Sequence, residues 1–255
     1  MGVMLGVSRS IPRAHDSMKR GEWAKKDFRG CSLRGKVLGI VGFGSVGRDL
    51  ARVAIAFGMV VLVAAPLSKS YAAPSVSVSR ETESDPSWLK RRMLESEIGM
   101  TEPPQRVPLK DLLSKSDFLS LHVPLAPGTS GMIGTRELAL MKPSAMVINA
   151  ARGGVVDEQA LLSALERGRL GGAALDVFSS EKVPLEDHIV SLCSLPNVIC
   201  TPHIGGSTVE AGERVLVEVC GAVLEALRGT LSRDRIVNGN PETGVRHERL
   251  SSWVQ

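Results

Sequence analysis

A chain of 255 residues with 43% apolar and 23% charged side chains can build a sizeable core, which excludes a disordered or fibrous protein. Its 31 basic and 27 acidic side chains leave a net charge of +4, and aromatics make up only 4%. Positive charge is interspersed with negative apart from Lys90, Arg91 and Arg92, so neither the basic face nor the stacking residues of a nucleic-acid binder are present.

No stretch reaches the roughly 18 apolar residues of a membrane span, and residues 1–10 lack a charged leader and a cleavage signal. The expectation is a cytoplasmic protein with no membrane partner. Cys31, Cys193, Cys200 and Cys220 form no CxxC pair and have no histidine at ligand spacing. They predict buried or half-buried thiols in a reducing compartment and no metal.

Residues 1–30 form an amphipathic lead-in, with Leu5, Ile11 and Trp23 as apolar points and Gly30 as its end. Residues 35–41 are rich in Val and Ile, as expected of a parallel strand covered on both faces. They lead into Gly42, Phe43, Gly44, Ser45, Val46 and Gly47, a GxGxxG turn. Val46, Leu50, Val53 and Phe57 then recur at helical steps, predicting a helix packed by that stripe on a sheet and closed by Gly58. Val60 to Val63 make a second strand. Strand, glycine turn, helix and strand together are the first half of a dinucleotide-binding unit.

Serines and prolines dominate residues 67–87, which predict a surface insertion, with a short helix at 88–97. Strands follow at 117–123, stopped by Pro124, and at 145–149. Asp157 caps a helix with Ala160, Leu161, Ala164 and Leu165 inward, closed by Gly168. Further strands lie at 173–177 and 198–201. Ser207 and Glu210 read as a capping box opening a long helix with Leu216, Val219, Val223 and Leu227 on one face, ending at Gly229. The predicted divisions are 1–30, a nucleotide-binding domain at 31–206, a helix at 207–230 and a polar tail at 231–255. The fold class is α/β, a doubly wound parallel sheet with helices on both faces.

The glycine turn has a physical reading because it joins a strand to a helix. Gly42 permits the tight turn, Gly44 admits a pyrophosphate against the helix N-terminus, and Gly47 allows close helix–strand packing. An acidic residue for the adenosine ribose is expected at the end of the second strand, where Ala65 stands instead. Ser68, Lys69 and Ser70 lie just beyond. An Asp would repel a 2′-phosphate, so its absence leaves NAD and NADP both open as cofactor.

Parallel strands present their carboxyl ends on one edge, where ligands bind. Arg152, Glu181 and His203 each follow a predicted strand, so a guanidinium, a carboxylate and an imidazole emerge beside the cofactor crevice. Each alone has a structural explanation, but the three together suit the reduction of a 2-keto acid. His203 supplies the proton, Glu181 orients the ring, and Arg152 grips the substrate carboxylate.

The stretches 35–47, 122–125, 147–157, 172–178 with Glu181, and 201–205 resemble the D-2-hydroxyacid dehydrogenase family, which includes phosphoglycerate dehydrogenase. The resemblance implies Arg152, Glu181 and His203 as catalytic residues. It places the cofactor against Gly42, Gly44, Ser45, Val46, Gly47, Pro124, Ala150, Asp176 and Gly205, with Asp176 on the nicotinamide carboxamide and Pro124 beside the adenine. It also implies a homodimer and a substrate domain ahead of residue 1, of which only a linker helix over about residues 5–23 is expected here. Domain closure excludes water in such enzymes, so these 255 residues are expected to bind cofactor and turn over poorly. The alternative is a cofactor-sensing interaction module, for which a proton donor at His203 has no use.

Overall fold

The computed structural model describes residues 1–64 and 104–231. The Ser-rich insertion at 67–87, the helix expected at 88–97, Ala65 with Ser68, Lys69 and Ser70, and nearly all of the polar tail lie outside the described residues. The chain divides into two units, Met1–Ile204 and Gly205–Gln255.

The first unit is built on seven described parallel strands: β1 (Val37–Val41), β2 (Val60–Ala64), β3 (Gln105–Arg106), β4 (Phe118–Leu121), β5 (Met146–Asn149), β6 (Gly172–Leu175) and β7 (Val198–Cys200). Their order is β3-β2-β1-β4-β5-β6-β7, so the chain works outward from β1 in one direction and then, from β4, in the other. Side chains alternate between the faces, and both are covered. Leu38, Ile40, Val61, Val63, Phe118, Ile148 and Ala174 join Met4, Val7, Ala51 and Ala54 on one side. Leu62, Leu119, Leu121, Val147, Ala173 and Leu175 join Leu112, Leu138, Leu161 and Leu192 on the other.

The helices of the first layer are α1 (Gly2–Ser8) and α3 (Ser45–Ala56), with α2 (Ile11–Lys19) between them in sequence. The second layer holds α4 (Leu109–Lys115), α5 (Thr135–Leu140), α6 (Glu158–Glu166) and α7 (Asp187–Ser194). The single lead-in helix expected over 5–23 is thus two helices, broken at Ser10, which takes φ +51. Met4 and Val7 of α1 are buried in the core of the first unit.

The predicted stripe of α3 has the correct period and the wrong phase. Val46 is 65% exposed and Val53 and Phe57 are each 43% exposed, whereas Gly47, Ala51 and Ala54 are buried. A helix that sits this close to a strand selects small side chains for its inner face, and only Leu50 of the predicted set packs on the core. In α6 the expected phase holds: Asp157 caps it by accepting from the Ala160 amide at 3.0 Å, and Leu161 and Leu165 are buried. Two cysteines depart from expectation, since Cys193 and Cys220 are exposed while Cys31 and Cys200 are half-buried.

In the second unit, α8 (Val209–Leu227) is capped by Thr208, not Ser207, through a 3.0 Å bond from the Ala211 amide. The expected box is therefore one residue out. Leu216, Val219, Val223 and Leu227 are all exposed. Among the described residues, no helix is long and apolar enough to cross a membrane.

Candidate active site

The seven strand ends share one edge, and the order reverses between β1 and β4, where a sheet of this kind opens its ligand crevice. The glycine turn follows β1 at that point. Gly42 takes φ +90, and a Cβ there would run into the His122 carbonyl, so only glycine fits. A Cβ on Gly47 would come within 2.6 Å of the Gly42 carbonyl, so α3 starts hard against the turn. Gly44, the N-cap of α3, would project a Cβ into open space. Ser45 and Val46 are exposed. Among the described residues, no side chain caps the positive end of this helix or its first N–H groups, an arrangement that suits a dinucleotide pyrophosphate.

Across the crevice, His122 follows β4. Its Nε2 lies 2.9 Å from Ser120 Oγ, and burial, above all, pushes its pKa down to about 4, so the ring is neutral at pH 7. Pro124 and Ala150 are both exposed.

At the end of β5, the buried Asn149 holds the next loop with both ends of its amide. Nδ2 donates to the Arg152 carbonyl at 3.0 Å, and Oδ1 accepts from the Ala151 amide at 3.2 Å. Gly153 lies against the backbone of Phe178 and Ser179, leaving no room for a Cβ, so the loops after β5 and β6 touch. The Arg152 guanidinium is exposed and donates through Nη1 to the Ala151 carbonyl at 2.6 Å. It makes no hydrogen bond to Glu181 or His203 in this structure.

His203 and Glu181 do meet. His203 Nδ1 lies 3.0 and 3.1 Å from the two carboxylate oxygens of Glu181, with both side chains about half exposed. A carboxylate only accepts, which assigns the Nδ1 proton to this contact and leaves Nε2 turned away from it. His203 takes φ +54, a conformation costly for a non-glycine residue and kept only where neighbours impose it. The neighbour is Asp176, 3% exposed at the end of β6. Its carbonyl accepts from the His203 amide at 2.8 Å, and its Oδ1 accepts from Thr201 Oγ1 at 2.5 Å and from the Ile204 amide at 2.9 Å. Asp176 therefore braces the turn that carries His203, a part that the sequence reading did not assign to it. Gly205 opens the second unit.

A further buried group supports the loop of Glu181. Glu158, 6% exposed, accepts from the Ser179 amide at 2.6 Å and the Ser179 hydroxyl at 2.7 Å, and its Oε2 lies 3.0 Å from His188 Nε2. Sequence reasoning passed over it because it follows the Asp157 cap, where acidic residues are ordinary.

A parallel sheet with a glycine turn at its switch point is the architecture of a nucleotide-binding unit, and here its carboxyl edge carries an imidazole–carboxylate pair. The chain belongs to the D-isomer specific 2-hydroxyacid dehydrogenase family, whose NAD binding domain it matches over residues 1–86 and 88–205. It is 40% identical over 238 residues to a D-3-phosphoglycerate dehydrogenase of Methanocaldococcus jannaschii, covering 93% of this chain and 40% of that protein. To a hydroxypyruvate reductase of Thermotoga maritima it is 38% identical over 227 residues, covering 89% and 64%. Among solved structures, D-lactate dehydrogenase from Aquifex aeolicus complexed with NAD and lactic acid superposes with a TM-score of 0.70 at 31% identity, covering 90% of this chain and 65% of that one. The chain thus spans between two-fifths and two-thirds of the length of these relatives.

Proposed function

We propose that the chain is the cofactor-binding part of an NAD(P)-dependent D-2-hydroxyacid dehydrogenase acting on a small 2-keto acid or the corresponding D-2-hydroxy acid. The observation that carries this reading is the contact of His203 Nδ1 with the Glu181 carboxylate on the cofactor edge of the sheet. A nicotinamide, when bound, supplies or accepts the hydride. Glu181 holds the ring by Nδ1, which leaves Nε2 to give a proton to the carbonyl oxygen in reduction and to recover it in oxidation. Arg152 exchanges its bond to the Ala151 carbonyl for the substrate carboxylate. Gly42, Gly44, Ser45, Val46 and Gly47 receive the pyrophosphate.

The test uses a panel of 2-keto acids that includes hydroxypyruvate, the compound named in the Thermotoga maritima relative. His203→Asn lowers kcat/KM by about 10²–10⁴ with cofactor affinity unchanged. Unaltered turnover refutes the role of His203. Parallel titrations with NADH and NADPH decide the preference that Ala65 leaves open. We further propose a homodimer, supported by Ile11, Met18 and Trp23, which are 52%, 54% and 80% exposed close together in sequence. Light scattering at the monomer mass refutes it.

A further inference from the structure

The last helix–strand pair of the sheet brings two sulfurs together. α7 returns to β7 through residues 195–197 alone, with the Leu195 amide on Leu192 O and the Val198 amide on Leu195 O. Ile189 and Leu192 of α7 are fully buried, and Cys193, four residues after Ile189, stands at the margin of the same inward face, exposed to solvent. Along β7 the side chains alternate. Ile199 packs on the core under α1 and α3, and Val198 on the opposite core, which also contains Leu192. Cys200, two residues after Val198, therefore faces α7. There it lies close enough to Cys193 for the neighbouring sulfur to act on its thiol. Burial pushes the Cys200 thiol up, which keeps it protonated at neutral pH while Cys193 stays open to solvent. The dehydrogenase reading uses neither sulfur.

We propose that Cys193 and Cys200 form a peroxide-oxidisable dithiol site, with Cys193 as the reacting thiol and Cys200 as the resolving one. The Cys193 thiolate attacks hydrogen peroxide, an S–O bond forms, the O–O bond breaks, and the departing hydroxide is protonated to water. Cys200 Sγ then attacks Cys193 Sγ. An S–S bond forms, the S–O bond breaks, and the second hydroxide leaves as water with the thiol proton. Two thiols are oxidised, and one peroxide is reduced to two waters. The bond ties α7 to the residue immediately before Thr201, whose hydroxyl is held by Asp176 in the turn that carries His203.

The inference is independent of the proposed activity, and its test reads mass alone. Lys182 and Arg214 bracket both cysteines, so one tryptic peptide, 183–214, contains the pair and no other cysteine. The 255-residue chain is treated with hydrogen peroxide, quenched, unfolded and alkylated. The expected result is a monomer whose 183–214 peptide has lost two hydrogens and carries no alkyl group, while Cys31 and Cys220 alkylate and dithiothreitol restores all four thiols. Cys200→Ser leaves Cys193 as a sulfenic acid trapped by dimedone, and Cys193→Ser leaves Cys200 alkylated. Full alkylation of the wild-type peptide, Cys193 over-oxidised beside an alkylated Cys200, or a chain-to-chain disulfide through Cys193 would each overturn the proposal.

Discussion

Protonation of His122 offers the most direct test of how the cofactor crevice is packed. Burial lowers its pKa from 6.5 to about 4 in the folded chain. The unfolded chain therefore binds more protons than the folded one between these values, so stability falls as pH drops from about 6.5 to about 4 and is level outside that window. The full shift corresponds to about 3 kcal/mol, and the linkage gives about 2 kcal/mol already at pH 5. Other groups titrate in the same range, so the quantity to measure is a difference. Urea unfolding of the wild type and of His122→Gln, which keeps a polar partner for Ser120, is followed from pH 7.5 to 4.5. The stability gap between the two proteins is expected to move by about 2 kcal/mol toward the variant by pH 5, with m-values unchanged. Parallel pH profiles would show that the His122 ring is hydrated in the folded chain, and its burial beside Ser120 would be refuted.

The other predictions concern buried supports. Asp117 accepts from the Val37 amide at 2.8 Å and from Lys142 Nζ at 3.0 Å. Burial pushes its pKa up, but the Val37 amide, Lys142 and Lys36 more than offset this and hold the carboxyl below its usual value of 3.8. Asp117→Asn is expected to cost about 1–2 kcal/mol at pH 7, by urea unfolding, with a gap that closes only as pH falls below 3.8. Gly153→Ala forces the loops after β5 and β6 apart and is expected to cost about 3 kcal/mol or more in the same assay; a cost under about 1 kcal/mol would mean that the loops are not in contact. Glu158→Ala removes the acceptor of the Ser179 amide and hydroxyl and is expected to cost about 2 kcal/mol, with faster hydrogen exchange across residues 178–186. Unchanged exchange there would dissociate Glu158 from the loop of Glu181.

Much of this was legible in the sequence because the signals were local. Strand cores and the glycine turn follow from short apolar runs and GxGxxG, and Gly58, Gly168 and Gly229 close their helices at positive φ as expected. The contact of His203 with Glu181 lay behind three polar residues at three strand ends. What escaped depends on tertiary distance. The phase of α3 was misjudged because Val46, Val53 and Phe57 outweigh Gly47, Ala51 and Ala54 in hydrophobicity, whereas the sheet selects small residues. α4, α5 and α7 were missed because helices of six to eight residues carry too few turns to show a period. Asn149 gave a usable signal, an amide at the end of an apolar strand, where such side chains commonly bind neighbouring backbone.

The carboxyl edge repeats one arrangement three times. Each exposed residue with chemistry is carried on a loop that a buried polar residue holds by its backbone: Asn149 the loop of Arg152, Glu158 the loop of Glu181 through Ser179, and Asp176 the turn of His203. A flexible loop alone would lose these placements to conformational entropy, and an apolar support would leave the loop amides unpaired. The buried residue supplies both order and acceptors. Because Asp176 and Thr201 share one bond, removing either side chain breaks the same brace, and their effects on the His203 turn must be less than additive. Asn149 and Asp176 are direct neighbours as well, since the Asp176 amide donates to the Asn149 carbonyl at 2.9 Å, so their effects couple across the ends of β5 and β6. The geometry of Arg152, Glu181 and His203 is thus set from beneath the edge, by the buried Asn149, Glu158 and Asp176.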